Sequence, residues 1–380
     1  MRHRSNFGNP SFSACLVGIM ETDSIHQVRS SSAVETASRR RATPDRLEAD
    51  RKFLPKNDML TTITHKAMAT EFAVILSQAD GHLVEPAFEA LELLDRIEAD
   101  LTVYREDSEI SQINAAASVQ PIPISESTYR LLRRSIAWSE RTSGAFDVTA
   151  GPLVRVWGFT ERRGRKPTAA EIQEAVAVVG YRHVRLHDQD RSVGFDLPGM
   201  EINLGAIGKG HALDELTRGL VDRGLRNFLI HGGGSSVIAR GDQIAGSGEG
   251  WSVGLSHPTK PKKRLAGIRL RNEALSTSGS GKQFFHFRGR RYGHVIDPRT
   301  GHPAGELLSL TTVASNATDA EACSTAFFVC GIDAIRSAVD DDESLPRMIG
   351  VRSAKRQDGV HVLPFAEFDW VDPPAETNEG

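Results

Sequence analysis

Ile202-Asn-Leu-Gly-Ala-Ile-Gly-Lys-Gly-His-Ala-Leu-Asp214 places an apolar pair around Asn203 ahead of three glycines in six residues, then Lys209 and a helical-looking HALDELTRGL. Such a stretch reads as a strand-to-helix turn that can set backbone N–H groups and a cation against phosphate. Glycine lets the backbone come close, and the helix start offers unsatisfied N–H groups at a positive dipole end. It is not a GxxxxGK[ST] loop, because Gly208-Lys209-Gly210-His211 lacks the hydroxyl that would hold Mg²⁺. Nor is it GxGxxG. Taken alone, it is equally a glycine-rich turn carrying a solvated lysine.

Around this segment the chain falls into blocks. Ala87–Leu101, Tyr129–Thr142 and Pro167–Gly180 have helical spacing, the last with Thr168 and Glu171 at capping-box distance. Phe72–Leu76 reads as a strand, and from Val184 to Ile296 short apolar runs separated by turn residues read as further strands. Ala317–Cys330 returns to helix, and Leu345–Val351 and Gly359–Leu363 close the chain as strands. Helices and strands in blocks, without strict βαβ alternation, predict an α+β fold. Residues 1–58, rich in Ser, Arg, Thr and Asp, read as a disordered tail, 59–368 as one domain and 369–380 as a polar tail.

Composition excludes several classes. With 39% hydrophobic and 25% charged residues the chain is of the globular type, and a net charge of −3 gives no electrostatic case for nucleic acid. Three widely spaced cysteines argue against a disulfide framework or a Cys-based zinc site. No apolar run approaches the ~18 residues of a membrane span. The start, Met1-Arg-His-Arg followed by a short interrupted apolar run, makes no convincing signal peptide.

Several other segments spend glycine, small polar and charged residues in apolar surroundings. They are Met68-Ala-Thr70, Tyr104–Asn114, Gly144-Ala-Phe-Asp-Val-Thr-Ala-Gly-Pro152 with the following LVRVWGF, His231-Gly-Gly-Gly-Ser-Ser236, Ser276–Gly281, His294-Val-Ile-Asp-Pro-Arg-Thr-Gly301 and Asp319–Thr325. Each has an ordinary structural reading. Asp297–Gly301 is a competent β-turn, and Thr325 mid-helix can bond back to the preceding turn.

Together and in this order, GAFDVTAGPLVRVWGF, INLGAIGKGHALD, ALSTSG and HVIDPRTG resemble the ApbE-type flavin transferases, over about residues 60–365. The resemblance implies an α+β fold of mixed, largely antiparallel sheets with packed helices. It implies Mg²⁺-dependent transfer of the FMN moiety of FAD to a Thr or Ser hydroxyl of an acceptor protein, with release of AMP. The Ala206 carbonyl and the Glu321 and Thr325 side chains would hold Mg²⁺. Met68, Tyr104, Ala145, Phe146, Asp147, Asn203, Lys209 and Ile296 would line the FAD site, and His294 would be the general base. The acceptor would be an exported or membrane-bound electron-transfer protein, which points to an exported or periplasmic location that the N-terminus does not visibly support.

The chain departs from that family in three places. Glu321 and Asn203 stand where Asp is usual, and HGGGSS lacks the acid that commonly follows the paired glycines. Asp319 could compensate for Glu321 only if it faced the same way, and two residues along a helix it points elsewhere. Two alternatives therefore stay open: an FAD pyrophosphatase yielding FMN and AMP, and a catalytically weak flavin-binding protein.

Overall fold

The structure, a computed structural model, describes residues 60–375 apart from 162, 280, 282 and 355–358, together with two short upstream strands, Val17–Ile19 and His26–Arg29. The rest of the expected N-terminal tail, and the end of the C-terminal one, lie outside the described residues.

The described residues build a nine-stranded sheet, antiparallel throughout except where His26–Arg29 runs parallel to Thr61–Thr64. Its middle strands are Ser309–Ala314, Glu273–Gly279, Ser236–Arg240, Phe228–Gly232 and Thr70–Leu76. Phe72-Ala-Val-Ile-Leu76 is an unbroken apolar run because it is buried on both faces. Phe72, Val74 and Leu76 point to a helical layer, whereas Ile75 points to a second, four-stranded sheet. That smaller sheet contributes Trp251, Val253, Ile268 and Leu270 to the inter-sheet core. Its edge strand Trp370–Asp372 lies inside the segment expected as a polar tail and pairs with Gly267 and Ile268.

Helices cover the other face of the large sheet. The stretch Ala87–Leu101, read as one helix, is two: Val84–Leu91 and Leu93–Leu101, separated at Glu92. Tyr129–Thr142 extends back to Glu126, where Ser125 caps it. The Thr168–Glu171 capping box forms at the start of Ala169–Val176.

Ala317–Cys330 is buried almost all round, which suits its run of small residues and its lack of an amphipathic stripe. It crosses Gly208–Asp222 closely at Gly210, where a Cβ would come within 2.7 Å of the Ala317 carbonyl carbon and 2.9 Å of the Thr318 Cα. Only glycine fits there.

A third small core gathers Leu153, Trp157, Ile172 and Ile296, with Phe285 and Tyr292 packed on it. It carries a β-hairpin, Phe284–Phe287 and Arg290–Gly293, that belongs to neither large sheet. His294 follows directly.

Candidate active site

Backbone pairing first brings the distant segments together. Asn203 N–H donates to Val148 O at 2.7 Å and Gly151 N–H to Glu201 O at 3.3 Å, so 148–151 runs beside 201–203. Asn114 clamps the same strand from the other side: its amide donates to Ile202 O at 2.9 Å and accepts from Ile202 N–H at 2.7 Å. Both bonds fix the entry to the glycine-rich turn. Nothing in the sequence marks Asn114 for this beyond its place in a polar segment.

Asn203 then turns the chain. Its Oδ1 accepts from Gly205 N–H at 2.9 Å, an Asx turn leading into Gly208–Asp222. Lys209 in the first turn of that helix forms an ion pair with Glu321. The second Glu321 oxygen accepts from Gly210 N–H at 2.6 Å. Glu321 is only 3% exposed, so its charge is met by an ammonium and by one of the orphan N–H groups of a helix start.

Asp214, two turns along, performs the reciprocal task. Its carboxylate accepts from Ala317 N–H at 2.8 Å and Thr318 N–H at 2.9 Å, and also from the Thr318 hydroxyl. Each helix thus supplies a carboxylate to the N-terminal amides of the other. Asp214 ends the opening motif, yet its sequence gives no sign of this capping role.

Asp319 faces away from Glu321. It accepts from Arg134 Nε at 2.6 Å and Trp138 Nε1 at 2.7 Å, tying the helix to Glu126–Arg141. Burial alone would raise its pKa, but the bonds from Arg134, Trp138 and Asn316 outweigh that and hold it below the ordinary carboxylate value. It does not share a site with Glu321. Thr325, one turn beyond Glu321, meets the Ser278 hydroxyl at 3.0 Å, and Ser278 also meets Ser324 at 2.8 Å. The ALSTSG motif is therefore a sheet strand whose serine reaches the helix.

The residues before the first of these turns are equally specific. Met68 and Ala69 connect two strands of a hairpin at φ +52° and +56°, a left-handed conformation that glycine or asparagine normally supplies. Met68 Cε lies 3.4 Å from where a Gly208 Cβ would be. The strained turn holds the thioether over the glycine-rich segment.

Asp147 uses its carboxylate internally. Oδ1 accepts from the Thr149 N–H and hydroxyl at 2.8 and 2.7 Å, and Oδ2 from Tyr181 N–H at 2.7 Å. Burial nonetheless leaves its pKa raised. Ala145 and Phe146, 1% and 2% exposed, and Ile296 at 7%, are packed into cores. Tyr104, in contrast, is 71% exposed, with its hydroxyl on Thr160 O at 3.2 Å.

His294 lies between the hairpin and the Asp297–Gly301 turn. Its Nδ1 is 3.2 Å from Gln283 O, and its ring sits edge-on to Phe159 at 6.3 Å. Desolvation by burial lowers its pKa most, the bond to the Gln283 carbonyl partly opposes this, and the Lys209 charge adds a smaller lowering. The imidazole is therefore kept neutral, with Lys209 near enough to act on it. The Asp297–Gly301 segment contains the β-turn its sequence suggests, closed by Thr300 N–H to Asp297 O at 3.3 Å, with Gly301 N–H on the same carbonyl at 2.8 Å. Trp157 Nε1 donates to Gly301 O at 2.8 Å and so joins the VWGF and DPRTG motifs.

Among the described residues no three His, Cys, Asp or Glu side chains cluster as metal ligands. The Glu321 carboxylate instead meets Lys209 and the Gly210 N–H, with Thr325 one turn further along the same helix.

Comparison with known proteins agrees with this architecture. The model of the ApbE family matches residues 59–349. An FAD:protein FMN transferase of Klebsiella pneumoniae (strain 342) is 31% identical over 286 residues, covering 73% of this chain and 81% of its own. One from Escherichia coli (strain K12) is 30% identical over 287 residues, covering 74% and 81%. The crystal structure of the ApbE protein of Thermotoga maritima superposes with a TM-score of 0.72 at 30% identity, over 80% of this chain and 96% of that one. The flavin transferase ApbE of Vibrio cholerae does so with a TM-score of 0.69 at 25% identity, over 81% and 97%. Fold, motif order and these likenesses agree, and the chain belongs to the ApbE family.

Proposed function

We propose that this protein is an FAD:protein FMN transferase that moves the FMN moiety of FAD onto a Thr or Ser hydroxyl of an acceptor protein and releases AMP. One observation carries the reading: in an ApbE-family chain, a lysine and a buried carboxylate meet at a glycine-rich helix start, with a neutral histidine close by. Phosphoryl transfer needs positioned charge more than covalent chemistry.

The residues present fit Mg²⁺, a hard ion that takes oxygen ligands and the substrate's own phosphates. The Ala206 carbonyl, Glu321 and Thr325 would hold it, and when bound it would neutralise pyrophosphate charge. Lys209 supplies a point charge for a phosphate oxygen. Tyr104, Met68 and Asn203 offer an exposed ring, a thioether and an amide to the flavin nucleotide. Ala145, Phe146 and Ile296, being packed into cores, would support the site from behind, and Asp147 would shape its loop.

His294 would take the proton from the acceptor hydroxyl as its oxygen bonds to the FMN phosphorus. The bond from that phosphorus to the AMP oxygen breaks, and AMP leaves with the electron pair. Burial keeps the imidazole unprotonated and ready to accept.

The test is to incubate the protein with FAD, Mg²⁺ and a threonine-bearing acceptor, and to measure intact acceptor mass and AMP with and without a chelator. An FMN-sized mass gain with AMP, lost on chelation, is the expected result. AMP and FMN without a mass gain would make the protein a pyrophosphatase, and FAD binding with neither product would leave a flavin-binding protein.

A further inference from the structure

The hairpin ahead of His294 combines a half-buried aromatic pair with two exposed phenylalanines, one on each face of the ribbon. Phe285 and Tyr292 stack at 5.3 Å and pack on Trp157, which lies 6.2 and 5.6 Å from them. Beyond this anchored base the hairpin presents Phe284 and Phe287, 41% and 37% exposed, to solvent. Exposed aromatics of this size on a short two-stranded ribbon call for a partner.

The charges around them are mostly positive, with Glu161 and Glu171 on the Arg165 side of the loop. Arg288 and Arg290 rise from the hairpin, and Arg163 and Lys166 from the loop beside it, where Gly164 approaches the Phe285 ring. Lys166 and Arg288 lie over the Phe287 ring at 5.5 and 5.4 Å. None of these four cations forms an ion pair among the described residues. Arg165, by contrast, is already matched by Glu171 at 2.8 Å. The whole chain carries a net charge of −3, so this is a local concentration of positive charge and not a general basicity.

We infer that this hairpin and the adjoining Arg163–Lys166 loop form the docking surface for the acceptor protein, and that they take an acidic segment flanking the hydroxyl to be modified. The inference rests on the transferase reading above. Position favours a polypeptide over a lipid surface. His294 N–H bonds Gln283 O at 3.1 Å, so the strand that carries the exposed phenylalanines begins one residue after the partner of the proposed base. A segment held on the hairpin would have its neighbouring hydroxyl within reach of His294. The unmatched cations would steer an acidic partner and fix its register, while Phe284 and Phe287 would contribute buried apolar area.

The test uses the full-length protein and two fluorescent threonine-bearing peptides, one rich in Asp and Glu, the other its Asn and Gln counterpart. Anisotropy at low and raised salt should show the acidic peptide binding at least ~10-fold tighter, with the difference shrinking as salt rises. The double variant R288E/R290E should lose that preference, and F287S should weaken the acidic peptide, while flavin-fluorescence titration shows FAD bound as before. Equal binding of the two peptides, or an unaltered preference in R288E/R290E, would overturn the proposal. Binding to phosphatidylglycerol vesicles without binding to the acidic peptide would overturn it too, by making this a membrane face. Failure of the wild-type protein to bind FAD would instead remove the transferase reading, and the peptide comparison would still report on the surface.

Discussion

Lys209 Nζ pairs with Glu321 Oε1 across the crossing of two helices, and the carboxylate it neutralises is buried. An Asp at this position would be shorter by one methylene and would draw the carboxylate back from Lys209. A divalent cation approaching Glu321 must compete with this built-in ammonium. FAD, by drawing Lys209 toward its pyrophosphate, would free the carboxylate.

Lys209→Met is therefore expected to tighten Mg²⁺ binding to the FAD-free protein several-fold while weakening FAD. Calorimetric titration of each ligand in the absence of the other measures both effects. Mg²⁺ affinity left unchanged by the substitution would show that the ion does not bind at Glu321.

Gly210→Ala should be severe although it adds one methyl group. Its Cβ would meet the Ala317 backbone, which cannot rotate away. Overpacking of this kind costs about 1–3 kcal/mol and sometimes more. A fall in the thermal midpoint together with lost FAD binding is the expected outcome. An unperturbed melt would mean that the helices separate easily.

Asp319 gives a stability prediction with a definite sign. Its folded pKa is depressed, so the stability it contributes is present above the ordinary carboxylate value near ~4 and is lost as pH falls through the lower folded value. Asp319→Asn should cost about 1–3 kcal/mol at neutral pH and much less in acid, because hydrogen bonds to a charged group are lost. Denaturant melts at pH 7 and in the acid range test this. An equal cost at both would contradict the charge assignment.

His294 gives the corresponding prediction for rate. With a pKa below the ordinary ~6.5 it stays neutral at and somewhat below that pH, so transfer should hold there and fall only in more acidic solution. Lys209→Met removes one depressing charge and should move the acid limb upward, with burial still holding it below the ordinary value. Rate–pH profiles of AMP release read both positions. His294→Ala should lower transfer by about 10²–10⁴ and leave FAD affinity near that of the parent, measured by flavin fluorescence.

At the hairpin turn, Ala69→Gly should relieve left-handed strain and stabilise the protein by up to ~1 kcal/mol. FAD binding should weaken as Met68 loses its fixed position. A melt that is unchanged or lowered would argue that tertiary contacts, and not the backbone, set the cost there.

Local chemistry made much of this legible. The Thr168–Glu171 box, the Asp297–Gly301 turn and the buried Phe72–Leu76 strand follow from residue patterns that act over a few positions. The α+β class followed from helices and strands lying in blocks, and the family from motif order. What could not be read was pairing at a distance. ALSTSG reads as a polar functional segment, yet it is a sheet strand in which Ser278 meets Ser324 and Thr325 and Thr277 meets Thr311. Asp214 and Asn114 carry no local mark because their partners are backbone amides far along the chain. Phe146 sits in a motif that the resemblance assigns to the FAD site, and its burial in the core could not be read from that motif.

The bond from Gly210 to Glu321 spans 111 residues of chain, and the Asp214 cap on Thr318 spans 104. Neither half of this crossing can be satisfied while the other is missing. On a ribosome, a nascent chain ending before Ala317 would carry the whole glycine-rich turn with no carboxylate to receive its amides. The site is thus a late product of synthesis. On the proposed function, affinity for nucleotide and metal would arise in one step as the segment from Ala317 onward emerges, and a chain stopping before it should be recognisable to the cell by its inability to bind either.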